Sequence, residues 1–363
     1  MNSNSIKIAI VGAGAAGLAC ACMLPCGHSV TVFEKNSDPG KKLLLSGNGR
    51  CNLTNLSEPD EFLKSVPRNS EFISDAIKAF TPRDTIKFFE SIGIKTKIES
   101  KKRVFPYMAK APAVKIALEN AAKNRGVQFL FNSTVKNIDK KTDGFELSVN
   151  DEKHLFDIVI IASGGKSYPQ TGSTGDGYVF ARSFGHKIFE PRAALTGLQL
   201  KKPSGIQGVS LECGMTLLNK KQQAVFPRQK GNLLFTKNGV SGPIIFEMVS
   251  KLMTQSIAGY FLKINFLSGC IVPRSVLNWI SNIGASGKKS INLAIKDFEN
   301  IEHATVTRGG VDVRQINPQN MESRLVPGLY FIGEVLDVDA LSGGFNLQIA
   351  FSTAAVCARS LLH

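Results

Sequence analysis

The stretch VGAGAAGLACACMLPC, residues 11–26, decides the fold. Its small apolar residues admit three readings: a signal-peptide core, a metal-binding cysteine cluster, or the phosphate-binding turn of a nucleotide fold. A signal core needs a basic segment before it and leucines where this stretch has glycines. Cys20, Cys22 and Cys26 have no histidine or second CxxC pair nearby, so their spacing fits no zinc pattern and no metal is expected. The third reading accounts for the neighbours on both sides. Residues 6–11, IKIAIV, read as a buried parallel strand that runs straight into Gly12-x-Gly14-x-x-Gly17 and an Ala/Leu/Cys helix. Residues 29–33, SVTVF, form a second strand ending at Glu34, about twenty residues past the first glycine, where a dinucleotide fold places its acid. Gly12 permits the tight turn, Gly14 lets backbone approach a pyrophosphate, and Gly17 lets helix and strand pack closely. The helix start adds unpaired N–H groups and a positive dipole end, and Glu34 would accept hydrogen bonds from a ribose. An acid here favours an adenosine ribose with free hydroxyls, which FAD and NAD both carry.

The rest of the chain narrows that choice. A loop over residues 40–55, rich in Gly, Ser, Asn and Thr, suits close backbone approach to a flat ligand. Apolar spacing predicts helix over 71–92, interrupted near Thr81-Pro82 where Thr81 would cap a new start, and another helix over 112–124. Strands are expected in VQFLFNSTVKNI (127–138), GFELSV (144–149) and DIVIIASGG (157–165), with a helix opening after TGSTGDG. Three strands thus run into glycine-rich turns: Val11 into GAGAAG, Ile161 into ASGG, and Ile332 into GEVLD. In a doubly wound sheet such turns line one cleft at the carboxyl ends. No second GxGxxG follows a strand, so a separate NAD(P)H domain is not indicated and one tightly held dinucleotide points to FAD. Gly- and Pro-punctuated strands between these parts suggest an insertion. The expected division is an FAD-binding domain over 1–188 and 306–363, with an inserted β-rich domain over 189–305 whose stretch around Trp279 reads ambiguously.

Forty-four Lys and Arg against 29 Asp and Glu give a formal charge of +15, a field that would attract phosphate-rich partners. Seven cysteines, an odd number, read as free thiols in a reducing compartment. No run is long and apolar enough to span a membrane, so the cytoplasm is the expected location.

Five motifs, in order along the chain, carry a closer resemblance: SGNGRCNLTN (46–55), RVFP (103–106), ASGGKSYPQTGSTGDGY (162–178), LLFTKNGVSGP (233–243) and GLYFIGEVLDVDALSGGFNLQIAFSTA (328–354). Together they resemble the BaiN/RdsA family of bacterial NAD(P)/FAD-dependent oxidoreductases. The resemblance implies a glutathione-reductase-like Rossmann domain for FAD, an inserted β-rich domain and a small helical element. It also implies NAD(P)H as a transient reductant. The activity implied is reduction of an activated C=C bond, with uridine in 23S ribosomal RNA or a bile-acid dienone as substrate; some members are labelled aminoacetone oxidases. By position, Gly12, Gly14, Ala15 and Gly17 would meet the pyrophosphate, Glu34 the ribose and Val135 the adenine, with Ala16 and Lys35 also at the cofactor. Lys42, Ser46, Gly49, Arg50, Cys51 and Asn52 would approach the flavin. Ala162, Ser163 and Gly164 would line the cleft, and Gly333 and Glu334 the ribityl chain. Gly343, Gly344, Phe345 and Asn346 would set a helix start near the flavin carbonyls, where reduced flavin gathers charge. Two departures stand out: the stretch between Leu267 and Thr305 is short for the family's helical element, and Lys102 precedes RVFP where glycine is common.

A proton donor is also needed. Cys51 is the named candidate, since a thiol beside Arg50 could be acidic enough to act; Tyr168 and Asp176 are weaker ones, and Asp176 could instead cap a helix starting at Gly177. An RNA substrate would be met by Lys220, Lys221, Arg228, Lys230 and Lys237, with Phe226 stacking a base. A different class of protein, a flavin-binding ribosome factor without turnover, would share that basic surface.

Overall fold

The protein is described by a computed structural model covering residues 5–252, 256–267 and 269–362. It divides into two compact units, Met1–Arg192 with Thr307–His363, and Ala193–Val306.

The first unit is built on a five-stranded parallel sheet with strands in the order Leu329–Phe331, Ile158–Ile161, Lys7–Val11, Ser29–Phe33, Gln128–Leu130. The first two strands in sequence, Lys7–Val11 and Ser29–Phe33, lie side by side. The chain then moves outward and returns to place Ile158–Ile161 on the other flank of Lys7–Val11. Order reverses there, and such a switch point opens a crevice at the strand carboxyl ends. The strands are short apolar runs because a parallel strand is covered on both faces; Ile8, Ile10, Val159, Ile160, Leu329 and Phe331 are all buried. Helix Ala15–Met23 is apolar nearly all round, which suits an element enclosed by others. It packs on helices Ala111–Lys123 and Phe345–Ser360. A three-stranded antiparallel sheet, Val135–Lys141, Gly144–Val149 and Glu152–Phe156, joins the same core through Phe156, edge-on to Phe33.

The helical region predicted over 71–92 is two helices, Ser70–Ala79 and Pro82–Ser91. Thr81 starts the second with a capping box: its hydroxyl accepts the Asp84 N–H while the Asp84 carboxylate accepts the Thr81 N–H. Asp176 does not cap its helix. The helix runs Asp176–Ser183 from Gly175, whose left-handed backbone supplies the entry, and Asp176 lies inside the first turn.

The second unit contains a closed six-stranded barrel in the order Leu198–Leu200, Gly239–Ser241, Gln229–Phe235, Ser210–Leu218, Phe261–Phe266, Ser290–Phe298, with the last strand pairing back to the first. Alternation fills it: Leu211, Cys213, Met215 and Leu217 point inward from one strand, Ile291, Leu293 and Ile295 from another. The ambiguous stretch around Trp279 is helix Arg274–Asn282, which docks Trp279 edge-on to Phe235.

Candidate functional site

The glycine fingerprint divides its labour as the physics of each position requires. Gly12 has φ +104°, and a Cβ there would sit 2.8 Å from the Ala162 carbonyl oxygen. At Gly17 a Cβ would fall 2.0 Å from the Gly12 oxygen, so the helix rests directly on the turn. Gly14 differs: its φ is −76°, and a Cβ would meet only the Ala162 oxygen at 3.9 Å. Space therefore lies open over Gly14, at the start of a helix with no side-chain cap, where Ala15, Ala16 and Gly17 begin the first turn. Gly333, φ +72°, closes the same wall, since a Cβ there would be 2.7 Å from the Ala16 methyl.

Glu34 is buried and its carboxylate accepts three hydrogen bonds, which leaves acceptor capacity on the oxygen that takes only one. One oxygen accepts the Ala13 N–H at 2.9 Å; the other accepts the Asn36 backbone N–H at 2.8 Å and its amide at 2.7 Å. The acid thus holds the glycine turn in shape. Val135 begins its strand nearby, as Ser133 N–H donates to the Glu34 carbonyl. Lys35 points to the loop before Asp176, donating to Thr174 and to Asp176 at 2.7 Å.

Lys42 binds across the carboxyl ends. Its ammonium donates to both Glu334 oxygens, at 2.9 and 2.7 Å, and to the Ser167 hydroxyl at 2.6 Å. Glu334 also accepts the Thr307 N–H at 2.8 Å, and the Thr307 hydroxyl accepts the N–H groups of Lys166 and Ser167. Loops following three strands of the sheet are thereby joined by one charged network. Ser167 lies in the ASGGKSYPQTGSTGDGY motif beside Tyr168, which is half-buried with left-handed backbone; nothing local marks Thr307.

The loop over residues 46–52 winds through left-handed backbone at Gly47, Asn48, Gly49 and Cys51. Ser46 closes it, its carbonyl accepting the Cys51 N–H at 3.0 Å. Arg50 turns outward, its guanidinium 4.0 Å from the centre of the Phe105 ring and paired with Glu99 at 3.0 Å. Lys97, with Arg50, holds the Glu99 carboxylate below the usual range. The expectation of an acidified Cys51 is overturned. Its side chain is fully buried, and burial pushes the thiol up to about 12, with only partial opposition from a hydrogen bond with Ser46. Asp176, bound to Lys35, is likewise committed elsewhere.

At the other end of the cleft, Gly344 precedes helix Phe345–Ser360 with φ +99°, and a Cβ there would strike the Thr54 carbonyl at 2.4 Å. Asn55 donates to the Gly343 carbonyl at 3.1 Å. The motifs SGNGRCNLTN and LSGGFN are therefore in contact. Asn346 spends its amide on the loop before it, accepting the Ala340 N–H at 2.9 Å and donating to the Ala340 carbonyl at 2.8 Å. Phe345 is buried edge-on to Phe62. Gln348, in the same 328–354 motif but given no role there, is saturated: its oxygen accepts Thr54 and Thr85, and its amide donates to the Phe80 carbonyl and Ser352. Arg68 clamps the same loop through Asp337 at 3.0 Å and Asp339 at 2.5 Å.

Among the described residues, Asn52 Oδ1, Ser163 Oγ and Tyr178 Oη in this region are buried with no hydrogen-bond partner. Buried polar groups are nearly always satisfied. With the open space at Gly14, the uncapped helix start and the acid in place, these atoms fit an extended dinucleotide. Among the described residues no group of three or more His, Cys, Asp or Glu is placed to hold a metal; Cys22 donates to the Leu118 carbonyl inside the core. No described helix is long and apolar enough to cross a membrane.

The chain is 31% identical to the ribosomal RNA dihydrouridine synthase of Escherichia coli (strain K12), with 97% of each chain covered. The aligned length of 402 exceeds the 363 residues here, so that relative carries segments this chain lacks. Similarity at 28% identity, covering 98% of both chains, extends to the 3-dehydro-bile acid delta(4,6)-reductase of Clostridium scindens. Among solved structures, 3-ketosteroid-delta4-(5alpha)-dehydrogenase from Rhodococcus jostii RHA1 superposes with a TM-score of 0.60 at 13% identity, over 99% of this chain and 98% of that one, which speaks for the fold. The HI0933-like protein Rossmann domain matches residues 6–360, and the chain belongs to that FAD-binding oxidoreductase family.

Proposed function

We propose that this chain binds FAD and uses NAD(P)H to reduce an activated C=C bond, with uridine in 23S ribosomal RNA as the substrate. The observation that carries the cofactor is the meeting of three strand-end loops beside the open, uncapped turn at Gly14. FAD, when bound, supplies the hydride relay between NAD(P)H and an electron-poor alkene. The chain's own residues do the rest. Gly12, Gly14, Ala15, Ala16 and Gly17 would hold the pyrophosphate on the first helix start, with Glu34 and Val135 at the adenosine end and Ala162, Ser163 and Gly164 along the crevice. Ser46, Gly49, Asn52, Gly343 and Gly344 would hold the flavin end. There the helix start at Phe345 offers N–H groups for developing negative charge. Lys42 and Glu334 would keep the intervening loops in register.

Ribosomal RNA is favoured by the full-length similarity to a ribosomal RNA dihydrouridine synthase. The second unit adds charge of the right sign, with 13 Lys and Arg against 5 Asp and Glu in residues 193–306. The bile-acid reductase supports a second reading, a small dienone or enone as substrate. The test has two parts. Purified protein should be yellow, and NADH or NADPH should bleach it without oxygen; a colourless protein, or one that stays yellow with both, defeats the reductase reading. Ribosomal RNA from cells lacking the protein should lose dihydrouridine and regain it on complementation. Unchanged dihydrouridine would leave a dienone as the leading substrate.

A further inference from the structure

Strand register gathers cations on one outer face of the barrel. Cys213, Met215 and Leu217 point inward, so Gly214 and Thr216 point outward. Gly214 is paired with Lys230 on one side and Asn265 on the other, and Thr216 with Lys263, which is paired in turn with Asn292. Arg228, just before its strand, lies flat over Gly214: a Cβ there would be 2.7 Å from the Arg228 Nε. The turn after Leu218 folds onto the same rows, since Asn292 donates to the Gln222 side chain at 3.5 Å, and this turn carries Lys220 and Lys221. Among the described residues, Lys230 is the only one of these cations with a carboxylate in ion-pair range, Glu212 at 3.2 Å. The uncharged outward residues between them, Thr216, Asn265 and Asn292, are hydrogen-bonding groups.

Two members of the set expected to meet RNA do not belong to this face. Lys237 lies beyond the far end of strand Gln229–Phe235, about 20 Å along it from Lys230. Phe226 packs partly against the barrel's apolar cluster.

We propose that this outer face, centred on Arg228, Lys230 and Lys263, is a docking surface for the phosphodiester backbone of RNA. The inference rests on the ribosomal RNA reading. The charge complementarity is specific: cations at spacing fixed by strand pairing, of which only Lys230 has a carboxylate partner among the described residues, interleaved with groups that can bond sugar hydroxyls and base edges.

The test uses the full-length protein and a labelled 20-nucleotide oligouridylate, with binding measured across a potassium chloride series. Replacing Arg228, Lys230 and Lys263 by Ser should weaken binding at least about tenfold at low salt. It should also flatten the slope of log affinity against log salt by about 2, for three phosphates lost at ~0.7 each. Replacing Lys201, Lys202 and Lys237 by Ser, a matched charge change at the other end, should have little effect. Gly214→Ala, which displaces the Arg228 side chain without changing charge, should weaken binding severalfold. Equal losses in both triple variants, or none in the first, overturn the proposal, as does wild-type protein that binds anionic vesicles and not RNA. Loss of dihydrouridine in deleted cells is read separately, so the substrate reading and the docking surface can fail independently.

Discussion

Lys42 and Glu334 stand 292 residues apart in the chain and meet with the ammonium 2.7 Å from a carboxylate oxygen. Each comes from a loop at the carboxyl edge of the sheet, and Ser167 and Thr307 complete the contact. Both side chains are about three-quarters buried, with 24% and 22% exposed. Screening by water is therefore weaker than for a surface pair.

Breaking this pair should loosen the loops around the cleft. Lys42→Met leaves Glu334 with fewer donors and should cost about 2 kcal/mol of stability. Glu334→Gln should cost a similar amount, and the double variant should cost less than the sum. Urea unfolding of the four proteins measures the coupling; strictly additive losses would show that the contact contributes nothing.

Gly14 and Gly17 should fail differently. Gly17→Val drives a side chain into the Gly12 carbonyl and should lower the melting temperature sharply or prevent folding. Gly14→Val meets no such obstacle in the protein, so it should fold with normal circular dichroism yet purify without FAD. A Gly14→Val protein that stays fully yellow would overturn the assignment of the pyrophosphate to this turn.

Alkaline pH should destabilise the fold through its buried thiols. Burial pushes Cys51, and likewise Cys22 and Cys213, up to about 12. In the unfolded chain each titrates near 8.5. The folded state thus binds more protons above that pH. The stabilisation is complete below about 8.5 and is lost as pH rises toward 12, by about 1.4 kcal/mol per pH unit per thiol. Urea midpoints at pH 8, 9 and 10 should fall, and Cys51→Ala should fall less steeply. At pH 8 the exposed Cys26 should react with a thiol reagent well before Cys51; rapid labelling of native Cys51 would contradict its burial.

Much of the nucleotide fold was legible because its determinants are local. A parallel strand, a glycine turn, a helix and an acid lie within residues 6–34, and each constrains the next through backbone geometry over a few residues. The Thr81 capping box is local in the same way, with both partners within four residues. Local spacing therefore fixes the set of elements and the identity of the turn. Tertiary structure decided what each charged or polar side chain faces. Arg50 and Cys51 are neighbours in sequence, yet one stacks on Phe105 at the surface and the other is sealed inside, so the guanidinium does not acidify the thiol. Lys42 finds Glu334, and Lys263 joins Arg228 and Lys230, only once strands far apart in the chain are paired. Desolvation and Coulomb energy depend on which surfaces meet in space, and sequence spacing carries no record of that.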